Sequence, residues 1–280
     1  MLAKILLFLD LLGLVCAVLY VLSMKAKRCP GNNFYGRVGA LHYAHRGLHA
    51  INAGIPENSI RAFRLAANNG YGAELDVRLS RDGRLVVMHD ESLKRTTGAN
   101  ANVSAVATQV LSQLTLEGTR EKVPFLEDVL PLFAGKATLL LELKTENNNH
   151  EELAEKVTDM LRQYPTLSVM IESFDPRVLL WLKKHRPEII RGQLSENFFK
   201  DKACKLNWPI RFLLTNMMAN FLTQPDFIAY KFEDREGLAP NLCRRIWGPH
   251  IFWWVVPSQE AARPLLKQKD SIIFEGFAAK

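Results

Sequence analysis

Residues 137–144 read "ATLLLELK", in which three consecutive leucines precede a glutamate and a lysine. A short continuous apolar run of this kind is typical of a parallel β-strand that is buried on both faces. Because strand side chains alternate between faces, Glu142 and Lys144 are expected to point to the same side. The sequence therefore predicts a buried strand that carries two charged groups at its carboxyl end.

Similar apolar runs recur along the chain and alternate with helical patterns. The other candidate strands are "LHYAHRG" (41–47), "GAELDVRLS" (72–80), "RLVVMHD" (84–90), "SVMIESF" (168–174), "EIIRGQL" (188–194), "DFIAYKFE" (226–233), "HIFWWVV" (250–256) and "SIIFEGF" (271–277). Helical patterns between them include residues 58–69, 151–164 and 176–185. This alternation predicts an α/β fold, a TIM-type (β/α)8 barrel of eight parallel strands, and places one of the nine candidates outside the barrel.

Two connections depart from the regular alternation. The segment "SRDG" (80–83) is too short for a crossover helix and contains Asp-Gly, so a tight turn is expected between the second and third strands. Residues 91–122 form a longer connection than a barrel loop needs. We interpret this segment as an insertion after the third strand, over one face of the barrel.

The amino-terminal segment predicts a location. Residues 5–24 are apolar except for Asp10, and twenty helical residues at about 1.5 Å each would cross roughly 30 Å of hydrocarbon. We expect a transmembrane anchor with its basic flank at residues 1–28 and a barrel domain at residues 38–280. A cleaved signal peptide is the competing interpretation, but its apolar region would be shorter and would end at a small-residue cleavage site.

The charges that flank this segment predict its orientation. Lys4 precedes the apolar residues, whereas four cations follow them, namely Lys25, Lys27, Arg28 and Arg37. By the positive-inside rule this asymmetry favours a single-pass protein of the cell membrane with its barrel in the cytoplasm.

The overall charge narrows the class of partner. The 280 residues carry a formal net charge of +7, which suits a partner that bears phosphates. The basic residues are scattered, with no stripe interleaved with aromatic residues, so nucleic acid is not predicted as a partner. The four cysteines include no C-x-x-C pair and indicate no disulfide framework or zinc site.

Three carboxylates are predicted to meet at one edge of the barrel. Glu74 and Asp76 are two residues apart on one strand and share a face, and Glu142 arrives from another strand. Three carboxylates completed by water suit a hard cation such as Mg²⁺ or Ca²⁺, whereas zinc more often recruits His or Cys. Two simpler interpretations remain: the carboxylates are solvated at the strand's end, and Lys144 is only a charge partner of Glu142.

Two histidines are expected near these carboxylates. His45 and His89 both fall at the carboxyl ends of candidate strands, where barrel enzymes place their catalytic groups. Imidazole titrates near neutral pH, so one ring can accept a proton while the other donates one. Arg46, beside His45, is suited to hold a phosphate.

Eight short motifs then carry a resemblance to a known family. They are "HRG" (45–47), "PEN" (56–58), "ELDV" (74–77), "MHD" (88–90), "RTT" (95–97), "VPFLEDVL" (123–130), "LELK" (141–144) and "ESFDP" (172–176). In this order and at this spacing the chain resembles the glycerophosphodiester phosphodiesterases over about residues 40–190. The resemblance implies a TIM barrel that hydrolyses glycerophosphodiesters to glycerol 3-phosphate and an alcohol.

The resemblance also implies roles for individual residues. His45 and His89 match the family's catalytic pair, and the metal ligands are matched by Glu74, Asp76 and Glu142. Arg46 and Lys144 match residues that contact the phosphate, and Glu57 matches a polar residue near the site. In the family's mechanism the glycerol 2-hydroxyl attacks phosphorus and water opens the resulting cyclic phosphate; direct attack by water is the alternative.

The last third of the chain departs from the family pattern. Trp254, to which the resemblance gives a role in substrate binding, is kept, but it is followed by "VVP" (255–257) where relatives carry polar residues. A more apolar wall on the leaving-group side would accommodate a lysophospholipid as well as a small head group. Two alternatives to the glycerophosphodiesterase interpretation are therefore a membrane-anchored lysophospholipase D and a non-catalytic membrane interaction module.

Overall fold

The computed structural model describes residues 1–26 and 42–280. The domain bounds predicted at residues 28 and 38, and the predicted flanking cations Lys27, Arg28 and Arg37, lie outside the described residues.

All nine candidate strands are present. The strands are β1 (His42–Ala44), β2 (Gly72–Leu79), β3 (Leu85–Val87), β4 (Leu139–Leu143), β5 (Val169–Ser173), β6 (Ile190–Ser195), β7 (Phe227–Lys231), β8 (His250–Val256) and β9 (Ser271–Phe274). The described α-helices are α1 (Leu2–Ser23), α2 (Ile60–Asn68), α3 (Lys94–Thr97), α4 (Thr108–Leu111), α5 (Leu126–Phe133), α6 (His150–Leu161), α7 (Pro176–His185), α8 (Trp208–Thr215), α9 (Asn220–Thr223), α10 (Leu238–Trp247) and α11 (Gln259–Lys267).

Eight of the strands close into a parallel barrel in the order β1-β9-β8-β7-β6-β5-β4-β2, with β2 returning to β1. Closure is seen at Tyr43, which pairs with Gly72 on one side and with Ile273 on the other. Among the described strands, the ninth strand, β3, pairs with β2 alone and is antiparallel to it, and its Val86 forms an isolated bridge with Phe125. The predicted TIM-type barrel is confirmed, and β3 is the candidate that lies outside it.

The leucine-rich strand β4 shows how the sequence builds two cores. Leu140 belongs to a cluster that fills the barrel interior together with Tyr43 and Phe252. Leu139 and Leu141 belong to the larger cluster between the strands and the surrounding helices. Because of this alternation, Leu140 and Glu142 are the side chains of β4 that face the barrel interior. Leu140 packs in the hydrophobic interior, and the Glu142 carboxylate lies above it, towards the carboxyl ends of the strands.

The segment after β3 packs as a unit of short helices. It includes α3, a 3₁₀ helix at Val103–Ala105 and α4. Leu93, Val103 and Leu111 form a separate hydrophobic cluster with Val86 and Phe125. The long connection thus carries its own small core and lies against the β2–β3 side of the barrel.

Helix α1 is the one helix among the described residues that is long and apolar enough to cross a membrane. Its side chains are largely exposed from Leu2 to Leu19. The residues that follow it, Met24 and Ala26, are instead buried in the core shared by the barrel strands and helices. Helix α1 therefore projects from the barrel while its carboxyl end is packed against it.

Candidate active site

Three buried carboxylates lie together at the carboxyl ends of β2 and β4. Asp76 and Glu142 are partners in the register of these strands, and one oxygen from each of Glu74, Asp76 and Glu142 lies within 4.8 Å of the others. Burial, and then the charges of Asp76 and Glu142, raise the pKa of Glu74 well above its usual range. Such a cluster stores electrostatic repulsion that a cation would relieve.

Two fixed cations offset part of this charge. The Lys144 ammonium lies 2.6 Å from Glu142 Oε1 and 3.2 Å from Asp76 Oδ1. The backbone N–H of Arg46 donates to Glu74 Oε2 at 3.0 Å, and its Nε lies 3.6 Å from Asp76 Oδ2. Burial acts to raise the pKa of Asp76, but Lys144 and the other positive groups outweigh it and lower that pKa.

A fourth carboxyl group, which the sequence analysis did not single out, faces the same centre. Glu172 is the β5 register partner of Glu142 and is 1% exposed. Its Oε2 has no hydrogen-bond partner within residues 1–26 and 42–280, and burial raises its pKa well above the usual range. The signal was present in the sequence, because "LLLE" and "VMIE" place a glutamate at the same position of neighbouring strands.

The composition of this cluster fits a hard divalent cation. Four buried carboxyl groups lie together, and among the described residues Arg46 and Lys144 contact them directly. A divalent cation would offset their charge further. All the nearby anionic donors are oxygens, which Mg²⁺ and Ca²⁺ prefer. The carboxylate cluster therefore has the donor chemistry of a metal site.

The two histidines sit beside this cluster, and each is oriented by a carboxylate. His45 Nδ1 lies 2.5 Å from Glu275 Oε2, and His89 Nδ1 lies 2.6 Å from Asp90 Oδ1. Because a carboxylate only accepts hydrogen bonds, Nδ1 of each ring carries a proton and Nε2 is left for other partners. Burial lowers the pKa of His45 despite the opposing effect of Glu275, and burial lowers the pKa of His89 to about 4.

One cavity of about 120 Å³ collects most of the predicted site residues. Its lining includes His45, Arg46, Glu74, His89, Glu142, Lys144 and Trp254. Asp76 lies next to this cavity through its contact with Lys144. The sequence-predicted residues from five different strand ends are thus brought to one place.

Glu57, like Asp76, is a predicted residue that is not part of the lining of this cavity. Its carboxylate accepts hydrogen bonds from Arg46 Nη1 at 2.9 Å and from Arg95 Nη2 at 2.7 Å. Arg95, which comes from the insertion after β3, also donates to Asp90 Oδ2 at 2.5 Å. Glu57 therefore fixes the Arg46 side chain by a hydrogen bond. Through Arg95 it is also linked to Asp90, the carboxylate that is hydrogen-bonded to His89.

The far wall of the cavity is apolar. It consists of Phe174, Leu194, Trp254, Val255 and Ile273. The rings of Phe174 and Trp254 meet edge to face at 5.6 Å. Trp254 Nε1 is buried and has no hydrogen-bond partner in the described part of the chain. This wall combines a hydrophobic surface with one free N–H donor.

The turn after β1 explains why Arg46 is followed by glycine. Arg46 and Gly47 both have left-handed backbone conformations, with φ of 53° and 80°. A Cβ on residue 47 would lie 2.9 Å from the backbone carbon of Ala62 on α2. Close packing against α2 thus turns the chain so that the N–H of Arg46 reaches Glu74.

Gly47→Ala is expected to lower the stability of the fold by about 1–3 kcal/mol, because the added methyl group meets the α2 backbone in a left-handed conformation. Gly54→Ala is the matched control, since Gly54 also has a positive φ but has nothing within 4 Å of its would-be Cβ. Thermal unfolding of the full chain in detergent measures both. Equal losses for the two variants would contradict the importance of the contact with α2.

Comparison with known proteins gives this site its context. The structure is a parallel barrel with a carboxylate cluster and two histidines beside one cavity. Residues 45–238 match the model of the glycerophosphoryl diester phosphodiesterase family. The chain belongs to this family, and it is a phosphoric diester hydrolase.

Individual relatives support the same assignment. A glycerophosphodiester phosphodiesterase of Caldanaerobacter subterraneus is 30% identical over 80% of this chain and 88% of its own. A human lysophospholipase D is 32% identical over 44% of this chain and 41% of its own. The fold is shared with a phosphodiesterase of Oleispira antarctica, solved with the product sn-glycerol-3-phosphate, at a TM-score of 0.68 and 24% identity over 84% of this chain and 92% of that one.

Proposed function

We propose that this protein hydrolyses glycerophosphodiesters to glycerol 3-phosphate and an alcohol, with a divalent cation and two histidines. The observation that carries the proposal is the single cavity in which carboxylates, two cations and the two histidines converge. The similarity to the Caldanaerobacter subterraneus glycerophosphodiester phosphodiesterase supports the substrate class.

The cation would be held by Glu74, Asp76 and Glu142, and Mg²⁺ and Ca²⁺ both suit these ligands. When bound, a divalent cation supplies Lewis-acid stabilisation of the negative charge on phosphate oxygens. The remaining chemistry falls to the side chains of the chain itself.

Arg46 and Lys144 are placed to hold the phosphodiester. Both line the cavity, both are permanently or strongly cationic, and each already contacts the carboxylate cluster. Burial acts to lower the pKa of Lys144, but Glu142 and Asp76 outweigh it and keep the ammonium charged. Positive groups fixed before the substrate arrives stabilise the charge that develops on the nonbridging oxygens.

The histidines move the protons. With Nδ1 hydrogen-bonded to a carboxylate, Nε2 of one ring accepts the proton of the attacking hydroxyl as its oxygen bonds to phosphorus. The other ring, in its protonated form, donates a proton to the departing alkoxide as the P–O bond breaks. The same arrangement serves attack by the glycerol 2-hydroxyl, followed by water, and direct attack by water.

The apolar wall supports a second candidate, lysophospholipase D activity. Phe174, Trp254 and Val255 give one side of the cavity a hydrophobic surface beside the charged residues. The acyl chain on the glycerol of a lysophospholipid would gain from contact with this surface, whereas a glycerophosphodiester without an acyl chain would not need it. The similarity to the human lysophospholipase D supports the same candidate.

Two substrates that share a phosphocholine group separate these activities. We expect the full chain in detergent to release choline from glycerophosphocholine in the presence of Mg²⁺ or Ca²⁺. Phe174→Ala should raise KM for lysophosphatidylcholine more than KM for glycerophosphocholine, because it removes apolar surface that only the acyl chain needs, whereas its contact with the Lys144 ammonium at 5.9 Å is lost for both substrates. Turnover of neither substrate would contradict the proposed function, and equal effects on both would contradict the role of the wall.

We also infer that α1 is an uncleaved membrane span with the barrel on the cytoplasmic side. The length and apolar character of α1 support the span. The excess of cations after it, which begins with Lys25, supports the cytoplasmic side. A reporter fused to the carboxyl terminus that is active only outside the cell would contradict this placement.

A further inference from the structure

The connection between β6 and β7 presents an apolar surface to solvent. Helices α8 and α9 lie in this connection, and its largest exposed side chains include Trp208, 66% exposed, and Phe221, 50% exposed. Ile210, Phe212, Leu213 and Leu222 are also exposed. Between residues 208 and 224 the only charged residue is Arg211. We call this surface, residues 208–223, the α8–α9 patch.

The carboxyl end of α1 is bonded to the same part of the barrel. Tyr20 donates a hydrogen bond to Asn216 Oδ1 at 2.5 Å, between α8 and α9. The Asn220 side chain donates to the carbonyl of Met24 at 3.3 Å, and Trp247 Nε1 donates to the carbonyl of Val21 at 3.0 Å. Helix α1 is thus fixed to the barrel beside the patch, which sets the orientation of the barrel relative to α1.

The patch lies at the level where α1 would leave the bilayer. A groove of about 970 Å³ runs between α1 residues from Cys16 to Ser23 and the side chains of Phe212, Met218 and Phe221. At about 1.5 Å per residue, Cys16 lies roughly 10 Å from Ser23 along the helix. A span that begins near Leu2 therefore places this part of α1 at the boundary between acyl chains and head groups.

We propose that the α8–α9 patch enters this boundary of the bilayer as a second membrane contact beside α1, so that lipid fills the groove. The proposal rests on the membrane span proposed above. The exposed aromatic residues Trp208 and Phe212, stacked at 5.6 Å, are of the type that favours the interface. The nearby cations Lys25, Lys183 and Arg211 suit anionic head groups; Lys183 donates to the carbonyl of Leu222.

The same connection reaches the cavity wall. Phe198, which follows β6, packs edge to face against Phe174 at 5.8 Å, and Phe174 lines the cavity. The segment that carries the proposed membrane contact therefore packs, through Phe198, against one residue of the apolar wall. This arrangement brings the apolar side of the site towards the lipid surface.

Quenching of tryptophan fluorescence by brominated lipids tests the contact without any measurement of activity. The full chain is reconstituted in vesicles of brominated phosphatidylcholine and phosphatidylglycerol, and in matched vesicles without bromine. We expect the wild type to be quenched and Trp208→Phe to lose most of that quenching. If Trp208→Phe is quenched as strongly as the wild type, the second contact is absent.

Two further variants supply the references. Trp208→Phe with Val110→Trp places an exposed indole on the insertion beside β2, which is four strands away from β7 around the barrel; Val110 is 54% exposed. This variant should not regain quenching, and equal quenching at residue 110 would overturn the proposal as non-specific adsorption. Trp208→Phe with Leu9→Trp reports on α1 itself, and absence of quenching there would overturn the span and the patch together, while leaving the hydrolase proposal intact.

Discussion

Glu142→Gln is expected to lower the rate of phosphodiester hydrolysis by about 10³-fold or more, because a catalytic cation contributes several kcal/mol and each 1.4 kcal/mol is a factor of ten. Glu142 on β4 lies in one cluster with Glu74 and Asp76 on β2. Replacing its carboxylate by the neutral amide of Gln would therefore weaken the proposed binding of the cation. Glu74→Gln and Asp76→Asn should have similar effects. The rate on glycerophosphocholine is measured together with Mg²⁺ and Ca²⁺ binding by calorimetry.

The thermal stability of Glu142→Gln shows whether a lower rate comes from loss of the cation or from loss of the fold. In the absence of cation, Glu142→Gln removes one of four crowded carboxyl groups while keeping the shape of the side chain, so thermal unfolding should not occur at a lower temperature. Chelation of the wild type should lower the rate to that of the variant, and Mg²⁺ or Ca²⁺ should restore it. A wild-type rate that is unchanged by chelation would show that the metal assignment is wrong.

The fold was predictable because its determinants are local. The sequence pattern predicts which side chains face the barrel interior and which face the helices, as in the leucines of β4 and the alternation in "GAELDV" (72–77). The tight turn expected at residues 80–83 predicted that β3 is a neighbour of β2, but not that β3 is the candidate outside the barrel, because periodicity describes one strand and not its other partners. The structure shows that β3 lies outside the barrel, because β2 is the one strand with which it pairs among those described and the pairing is antiparallel.

The candidate site was predictable to the extent that each residue ends a strand. His45, His89 and Glu142 could be placed together because parallel strands of a barrel end at one face. Their supporting partners were harder to predict. Glu275 reaches His45 across 230 residues of sequence, and Glu57 meets Arg95 only because the insertion folds back over the first strand. Such contacts depend on tertiary packing, which leaves little local pattern.

Tertiary packing also explains why the contacts between the end of α1 and the barrel were not predicted. The composition of α1 predicts a membrane span, but not that Met24 and Ala26 are buried in the barrel core. Asn220 and Trp247 bind the carbonyls of this end from distant helices. Truncation close to the barrel would therefore remove core packing as well as the anchor.

His45→Ala and His89→Ala are each expected to lower the rate by about 10²-fold to 10⁴-fold, because each removes a group that we propose transfers a proton in the reaction. Neither ring belongs to the cluster of three carboxylates, so affinity for Mg²⁺ or Ca²⁺ should remain nearly unchanged. The rate on glycerophosphocholine and calorimetric cation binding test both expectations. A histidine variant that no longer binds the cation would identify that histidine as a ligand.

The variant Glu275→Gln distinguishes the proposed proton transfer by His45 from the positioning of its ring by Glu275. The amide still reaches His45 Nδ1 but lacks the charge that holds the ring in one tautomer and stabilises its protonated form. We therefore expect a smaller loss of kcat than for His45→Ala, with partial recovery in Glu275→Asp. In His45→Ala, further replacement of Glu275 by Gln should cost little, because Glu275 acts through the ring. Additive losses in the double variant would contradict that role and would assign Glu275 a separate contact with the substrate.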